Sequence, residues 1–378
     1  MRILHVITAL PGAGAEMMLL RLLSAMQEGY SHTVICLKDE GVVGPKIREL
    51  GVPLYTLNLR PSLPNPVHVW SLRTLTRQIQ PQLIQGWMYH GNVMASLAGK
   101  FARDRVPVVW NVRQSLTDPG AYGRRTSAVI RLGALLSGRP VAIIYNSLAG
   151  AQDHERFGYR ADQRVVIPNG FDCQLLRPDE NARSQVRAEL RLAPETILVG
   201  LIARYHPMKD HANFLRAAGQ VVRDYPTIRF LLVGHGVSND QPSIVKLITE
   251  NQLAGRVMLL GGRQDIPRLT AALDIACSAS AWGEGFSNAI AEAMACGVPC
   301  VVTDVGDSAT IVADTGIPVP PRNPGALAQA INQLIEAGKD RRLELGMAAR
   351  RRIEREFSLA EIARRYEELY RRLLAHQN

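Results

Sequence analysis

Residues 196–236 read TILVGLIARYHPMKDHANFLRAAGQVVRDYPTIRFLLVGHG. Thr196–Ile202 and Arg229–Val233 are short apolar runs, the length of a buried strand. His211–Tyr225 carries apolar residues at helical spacing, and a glycine follows Val233 at once. Strand, loop, helix, strand, glycine loop is the unit of a parallel sheet covered by helices. The unit recurs in both directions. Downstream the pattern predicts strands over 257–259, 275–278 and 301–303, with helices over 243–251, 266–272 and 287–296 between them. Upstream it predicts strands over 2–8, 33–37, 83–85, 108–112 and 141–146, separated by helices over 15–27, 44–50, 67–79, 91–103 and 128–137. The alternation breaks once. A short strand over 165–167 leads into Pro168-Asn169-Gly170, a turn signal, and residues 172–195 are polar, with Pro178 and Pro194 and room for one short helix. The fold class is therefore α/β, with two Rossmann-like domains, 1–168 and 169–358. Residues 339–378 are helical in pattern and rich in arginine, with a break at Phe357-Ser358, where Ser358 and Glu361 have capping-box spacing.

Composition supports this reading. The 378 residues are 47% hydrophobic and 21% charged, which excludes a largely disordered chain. Five cysteines without a Cys-x-x-Cys pair exclude a disulfide-stapled miniprotein and fit a reducing, cytoplasmic setting. No run of 18 apolar residues is free of charge, so no spanning helix is expected. Arg2 followed by Ile3–Leu10 has the look of a signal peptide, but Glu16 and Arg21 come too soon after it. A buried strand entering a glycine loop explains it better. The net charge of +10 suits an anionic membrane surface or a phosphorylated substrate. No basic run is interleaved with aromatics, so a nucleic-acid partner is not expected.

The chemistry concentrates in the second half. In Glu284-Gly-Phe-Ser-Asn-Ala-Ile-Ala-Glu292 a helix begins near Ser287, so the free N–H groups of Phe286, Ser287 and Asn288 form an anion site. Glu292, about a turn inside, can accept from hydroxyls such as those of a ribose, and Glu284 can do so on the other side. Two acids flanking a phosphate cradle suit a sugar nucleotide; the plainer alternative is two solvated acids on a surface helix. Arg204 and Lys209 bring two cations to the end of the first strand of the second domain, where ligands of open α/β sheets bind. They can neutralise a diphosphate and stabilise a leaving group. The glycine loops Val233-Gly-His-Gly236 and 260–265 can border a base. In the first domain, Gly12-x-Gly14 is an incomplete dinucleotide fingerprint. His90, expected at a strand end before a helix, can hydrogen-bond a sugar or shuttle a proton. Asp307 can touch a ligand or cap a helix. No Asp-x-Asp motif and no metal-ligand spacing occurs, so no metal and no cofactor are expected.

These motifs resemble those of the retaining glycosyltransferases of family 4, with the GT-B fold. Glu284 and Glu292 match the family's Glu-x7-Glu motif, Arg204 and Lys209 its Arg-x4-Lys pair, Gly14-Ala15-Glu16 its N-terminal turn, and Ile167–Asp172 its interdomain strand and turn. The resemblance implies two Rossmann-like domains facing across a cleft, with the last helix (359–378) returning to the first. It implies metal-independent transfer with retained configuration from a nucleotide-sugar donor, uridine being the expected base, to a glycan or lipid-linked acceptor in cell-surface polysaccharide or glycolipid synthesis. It places Glu292 on the ribose, Glu284 on the donor sugar, Arg204 and Lys209 on the diphosphate, Gly14 near the phosphate or acceptor, and His90 near the transferred sugar. Two departures stand out: Ala13 precedes Gly14 where a second glycine is common, and Gly306-Asp307-Ser308-Ala309 replaces a Gly-Gly-x-x-Glu loop. A sugar-nucleotide epimerase of the same architecture and a non-catalytic nucleotide-sugar-binding subunit are the alternative readings. Residues 124–139 combine basic and apolar positions, as a helix at an anionic membrane surface would, or as a core helix with basic flanks would.

Overall fold

The computed structural model describes residues 1–59, 66–117 and 123–375. The chain divides into two compact units, Met1–Gly170 with Leu359–Asn378, and Phe171–Ser358. The first unit holds seven strands: β1 (Arg2–Ile7), β2 (Ser31–Cys36), β3 (Leu54–Thr56), β4 (Leu83–Trp87), β5 (Val108–Val112), β6 (Ala142–Tyr145) and β7 (Arg164–Val166). They form one parallel sheet in the order β3-β2-β1-β4-β5-β6-β7. The second unit holds β8 (Leu198–Ile202), β9 (Arg229–Val233), β10 (Val257–Leu259), β11 (Ile275–Ser278), β12 (Cys300–Thr303) and β13 (Gly316–Val319). These too are parallel, in the order β10-β9-β8-β11-β12-β13. Each sheet reverses its winding beside its first strand, β1 or β8, which opens a crevice at the carboxyl ends of the strands.

The central strands form because both faces are covered. Ile3, Leu4, Val6 and Ile7 in β1, and Phe230, Leu231, Leu232 and Val233 in β9, are buried without alternation. The edge strands β3 and β13 are partly exposed and only three and four residues long, so their apolar signal is weak. The sequence pattern misses both, together with the helices Leu148–Arg156 and Pro324–Glu336. The helix Leu359–Ala375 belongs to the first unit. Its apolar stripe of Ile362, Ala363, Tyr366, Leu369 and Tyr370 joins the core around Ile3, Leu22 and Trp87. Each large side chain so buried contributes about 1.5–3 kcal/mol. Polar tips fix its register. Tyr370 Oη donates to Gln85 Oε1, and Tyr366 Oη accepts from Asn111 Nδ2 at 2.8 Å and from Arg113 at 3.0 Å.

In the second unit the helix Asn288–Ala295 ends in a Schellman motif. Val298 N–H donates to Ala293 O and Gly297 N–H to Met294 O, both at 3.0 Å, with Gly297 at φ +74°. The helix Gly338–Glu356 packs onto this turn through Gly346, where a Cβ would lie 1.9 Å from the Gly297 carbonyl oxygen. Backbone cannot retreat as a flexible side chain can. Gly346→Ala should therefore destabilise the protein by about 1–3 kcal/mol, seen as a lower chemical-denaturation midpoint.

The first unit also buries neutral histidines. Trp87 Nε1 donates to His5 Nδ1 at 3.2 Å, which leaves His5 Nε2 to donate to His32 Nδ1 at 3.0 Å and His32 Nε2 to donate to Met26 O at 2.6 Å. The chain of donors closes only with both rings uncharged, and burial lowers both their pKa values. His154 lies between Tyr89 Oη at 2.9 Å and Gly150 O at 2.7 Å, and burial lowers its pKa to about 4. The unfolded chain binds these protons more readily than the folded one, so stability is full above the ordinary histidine pKa and falls as pH drops through it. His154 alone should account for a loss of about 2 kcal/mol between pH 7.5 and pH 5. Denaturant midpoints across that range check the slope, and a flat profile would contradict it.

Candidate functional site

The site is built at the carboxyl ends of β8, β11 and β12. Beyond β8 the ladder continues one step, with Ala203 N–H on Val233 O, and Tyr205 N–H reaches His235 O, both at 2.8 Å. The backbones of these two loops run so close that a Cβ on Gly234 would lie 2.1 Å from Ala203 O. The chain then turns through a short 3₁₀ segment, Pro207–Lys209, with His206 Nδ1 accepting from Met208 N–H at 3.2 Å. Asp210, in the left-handed region at φ +43°, caps the next helix by accepting from Asn213 N–H at 3.1 Å. This geometry sets Arg204 and Lys209 at opposite ends of one tight loop.

The loop after β11 meets it, with Ala281 N–H donating to Met208 O at 2.8 Å. Glu284 is only 7% exposed, so its carboxylate needs partners. It has two on one oxygen: Lys209 Nζ forms an ion pair with Oε1, and Ser280 Oγ donates to it at 2.6 Å. Thr303 Oγ1, at the end of β12, donates to Ser280 O at 2.7 Å and ties in the third strand. Gly306 supplies the remaining support. It lies at φ +63°, where a Cβ would sit 2.2 Å from the Glu284 carbonyl oxygen, and Asp307 N–H donates to Gly285 O at 3.0 Å.

The helix Asn288–Ala295 starts at once, with Ser287 at the N-cap position and its hydroxyl not used as a cap. The Phe286 ring is buried, 5.9 Å from Phe171 and 5.5 Å from Phe357, and anchors the turn in the core. Glu292 lies in the second turn and is half-buried. Arg204, Lys209, Glu284, Ser287, Asn288 and Glu292 all line a single recess of about 690 Å³, which Gly234, His235, Gly262 and Arg263 also border. Arg263 is held by Asp265 at 2.7 Å. Arg204 is exposed and makes no ion pair with a described residue. Burial, together with the nearby charges of Arg204 and Lys209, lowers the pKa of His206. The recess thus joins two cations, a helix N-terminus and two carboxylates, the set that an anion carrying hydroxyls at both ends requires.

His90 and Gly14 belong to the other unit. His90, expected at a strand end before a helix, lies in the first turn of that helix, Met88–Phe101, because Met88, at φ +62°, starts it directly from β4. Burial, and then Lys38, lowers its pKa, so the ring is neutral near pH 7. Gly14 is the first residue of the helix Gly14–Ala25. The glycine with a left-handed backbone in that loop is Gly12, at φ +96°, and the close approach is made by Gly41, whose Cβ would lie 2.3 Å from Leu10 O. Asp307 sits at the N-cap position of the helix Ser308–Val312 without a side-chain cap bond. The sequence pattern also missed Ser280 and Thr303; a serine four residues before Glu284 was the available signal.

Comparison with known proteins agrees with this construction. The family described as glycosyl transferases group 1 matches residues 196–337, and that described as the glycosyl transferase 4-like domain matches 13–170. Among solved structures, Anabaena HepE in complex with UDP superposes with a TM-score of 0.86 at 26% identity, covering 98% of this chain and 99% of that one. Among curated proteins, an Escherichia coli UDP-Gal:alpha-D-GlcNAc-diphosphoundecaprenol alpha-1,3-galactosyltransferase is 32% identical over 150 residues, 39% of this chain. A D-inositol 3-phosphate glycosyltransferase of Nocardia farcinica is 31% identical over 204 residues, 52% of this chain. These alignments span 38% and 44% of the two relatives' own lengths. With one family match over each unit, two doubly wound parallel sheets, and both acid and base motifs gathered in one recess, the chain belongs to the group 1 glycosyltransferases of family 4, with the GT-B architecture.

Proposed function

We propose that the protein moves a sugar from a UDP-sugar to a glycan or lipid-linked acceptor, with retention of anomeric configuration and without a metal, in cell-surface polysaccharide or glycolipid synthesis. The observation that carries this reading is the Lys209–Glu284 ion pair, fixed from behind by Ser280, lining one recess together with Glu292 and Arg204. Anabaena HepE, similar over nearly its whole length, has been crystallised with UDP and with UDP-glucose. In this reading Glu292 accepts from the ribose hydroxyls, and the first N–H groups of its helix take the diphosphate with Arg204 and Lys209. Their fixed charges balance the negative charge that grows on the leaving phosphate, the task a divalent cation performs elsewhere. Glu284, held on one oxygen by Lys209 and Ser280, presents its other oxygen to donor-sugar hydroxyls. The glycosidic C–O bond to phosphate breaks, the acceptor oxygen bonds the same face of the anomeric carbon, and the acceptor proton passes to the departing phosphate. His90, neutral near pH 7, is the hydrogen-bonding group assigned to the transferred sugar. Incubation with a UDP-hexose panel and lipid-linked glycan acceptors, with and without a chelator, tests this. The expected outcome is chelator-insensitive UDP release with a product of the donor's anomeric configuration by NMR. Inverted product or loss with the chelator would contradict it.

A lipid-linked acceptor suits a peripheral location at the cytoplasmic face of a membrane. No helix among the described residues is long and apolar enough to cross one. On the helix Arg124–Leu136, Ile130 and Gly133 face the core, whereas Leu132 is 41% and Leu135 83% exposed, next to exposed Arg131. Exposed leucines beside arginines are what an anionic interface takes, each arginine contributing about 1 kcal/mol. Leu135→Asp should reduce sedimentation with phosphatidylglycerol vesicles several-fold; unchanged sedimentation would remove this helix as the contact.

A further inference from the structure

We infer that the first unit carries a second anion site, at the opposite ends of the strands from Gly14 and His90, that takes a ligand with two or more phosphate charges. A recess of about 530 Å³ lies at the amino ends of β1, β4 and β5, lined by Arg2, Arg77, Arg103 and Arg105 with Asp104 and Gln82. Ligands of parallel α/β sheets bind at the carboxyl ends of the strands, so neither the fold nor the proposed transfer explains four guanidinium groups here.

Two of the four are held in place. Arg2 Nε donates to Gln80 O at 2.8 Å, with Gln80 in the left-handed region at φ +49° after the helix Pro66–Ile79, and Arg77 Nε donates to Phe101 O at 3.3 Å. Each bond occupies Nε and leaves the two terminal nitrogens, the pair that binds phosphate oxygens in a fork. Arg2, Arg77 and Arg103 make no ion pair with a described carboxylate. Arginines such as Arg364, bound by Glu361 and Glu368, and Arg341, bound by Glu344, are neutralised; Arg139, Arg204 and Arg216, like these three, are not. Three guanidinium groups without an ion pair to a described carboxylate, set in one concave wall, focus potential on whatever enters. A monovalent carboxylate would leave most of that charge unmatched; a diphosphate or a phosphorylated headgroup would not.

Calorimetric titration of inorganic pyrophosphate into the full chain tests the site, with Arg77→Gln/Arg103→Gln as the variant and Arg204→Ala as the control for the donor recess. Arg77 and Arg103 are exposed, so the variant should fold, and an unchanged melting temperature checks this. The expected result is pyrophosphate binding that survives Arg204→Ala and, in that background, weakens about tenfold or more when Arg77→Gln/Arg103→Gln is added, with the UDP affinity of the otherwise unaltered chain unchanged by the double variant. Sedimentation with phosphatidylglycerol vesicles identifies the source. Loss in the double variant points to a lipid headgroup, and soluble binding without sedimentation points to a free phosphorylated ligand. Pyrophosphate and vesicle binding both indifferent to Arg77 and Arg103 would overturn the inference. Because the donor recess is not involved, that result would leave the proposed transfer standing.

Discussion

Lys209→Ala is expected to lower turnover by about 10²–10³-fold, the usual cost of removing one preorganised group that stabilises charge in the transition state. It should cost stability as well. Glu284 is 7% exposed, and Lys209 is its charged partner. Without the ammonium a nearly buried carboxylate keeps only the Ser280 hydroxyl on its paired oxygen. A fully buried charge stripped of its partner costs about 3–5 kcal/mol. The recess is open and Lys209 retains 21% exposure, so water recovers part of this, and about 1–3 kcal/mol remains. The double variant Lys209→Ala/Glu284→Gln separates the two effects. Neutralising the orphaned acid should restore the melting temperature while turnover stays low. Turnover and stability recovering together would mean that Lys209 serves only to keep Glu284 in place.

Glu292→Ala should raise the donor KM by about 10–100-fold, because a carboxylate bonded to neutral hydroxyls contributes about 1.5–3 kcal/mol. Its effect on kcat should be small, since the ribose contact is the same in ground and transition states. This split is the reverse of the one expected for Lys209. Glu292 lies in the second turn of a helix whose buried face is Ile290, Ala291, Ala293, Met294 and Ala295. The substitution touches none of that packing, so the melting temperature should hold. A large fall in kcat with unchanged KM would remove Glu292 from the ribose.

Much of this was legible in the sequence because burial on both faces leaves unbroken apolar runs. β8 and β9 are of this kind, and each ends where a glycine or a charged loop begins. Their order in the sheets follows from topology, so residues at strand ends 75 positions apart, such as Lys209 and Glu284, could be expected at one edge. What the sequence hid was set by tertiary contact. β3 and β13 are edge strands whose exposure erases the pattern. His90 was expected ahead of the helix rather than in it, because nothing local announces that Met88 adopts a left-handed backbone and opens a helix straight from the strand. Gly14 drew attention by its spacing, but the positions that tolerate only glycine are Gly12, through its φ, and Gly41, through the Leu10 carbonyl against it. Ser280 was overlooked because a lone serine carries no periodicity. Its role appears only when its hydroxyl is found 2.6 Å from Glu284.

The most direct test of the central claim is calorimetric titration of UDP into the full chain and into Glu292→Ala and Arg204→Ala. The account predicts one UDP per chain, affinity at least about tenfold weaker in each variant, and no comparable binding of NAD. UDP binding that neither substitution weakens, or a chain that takes NAD in its place, would contradict a donor site built on Arg204, Lys209, Glu284 and Glu292.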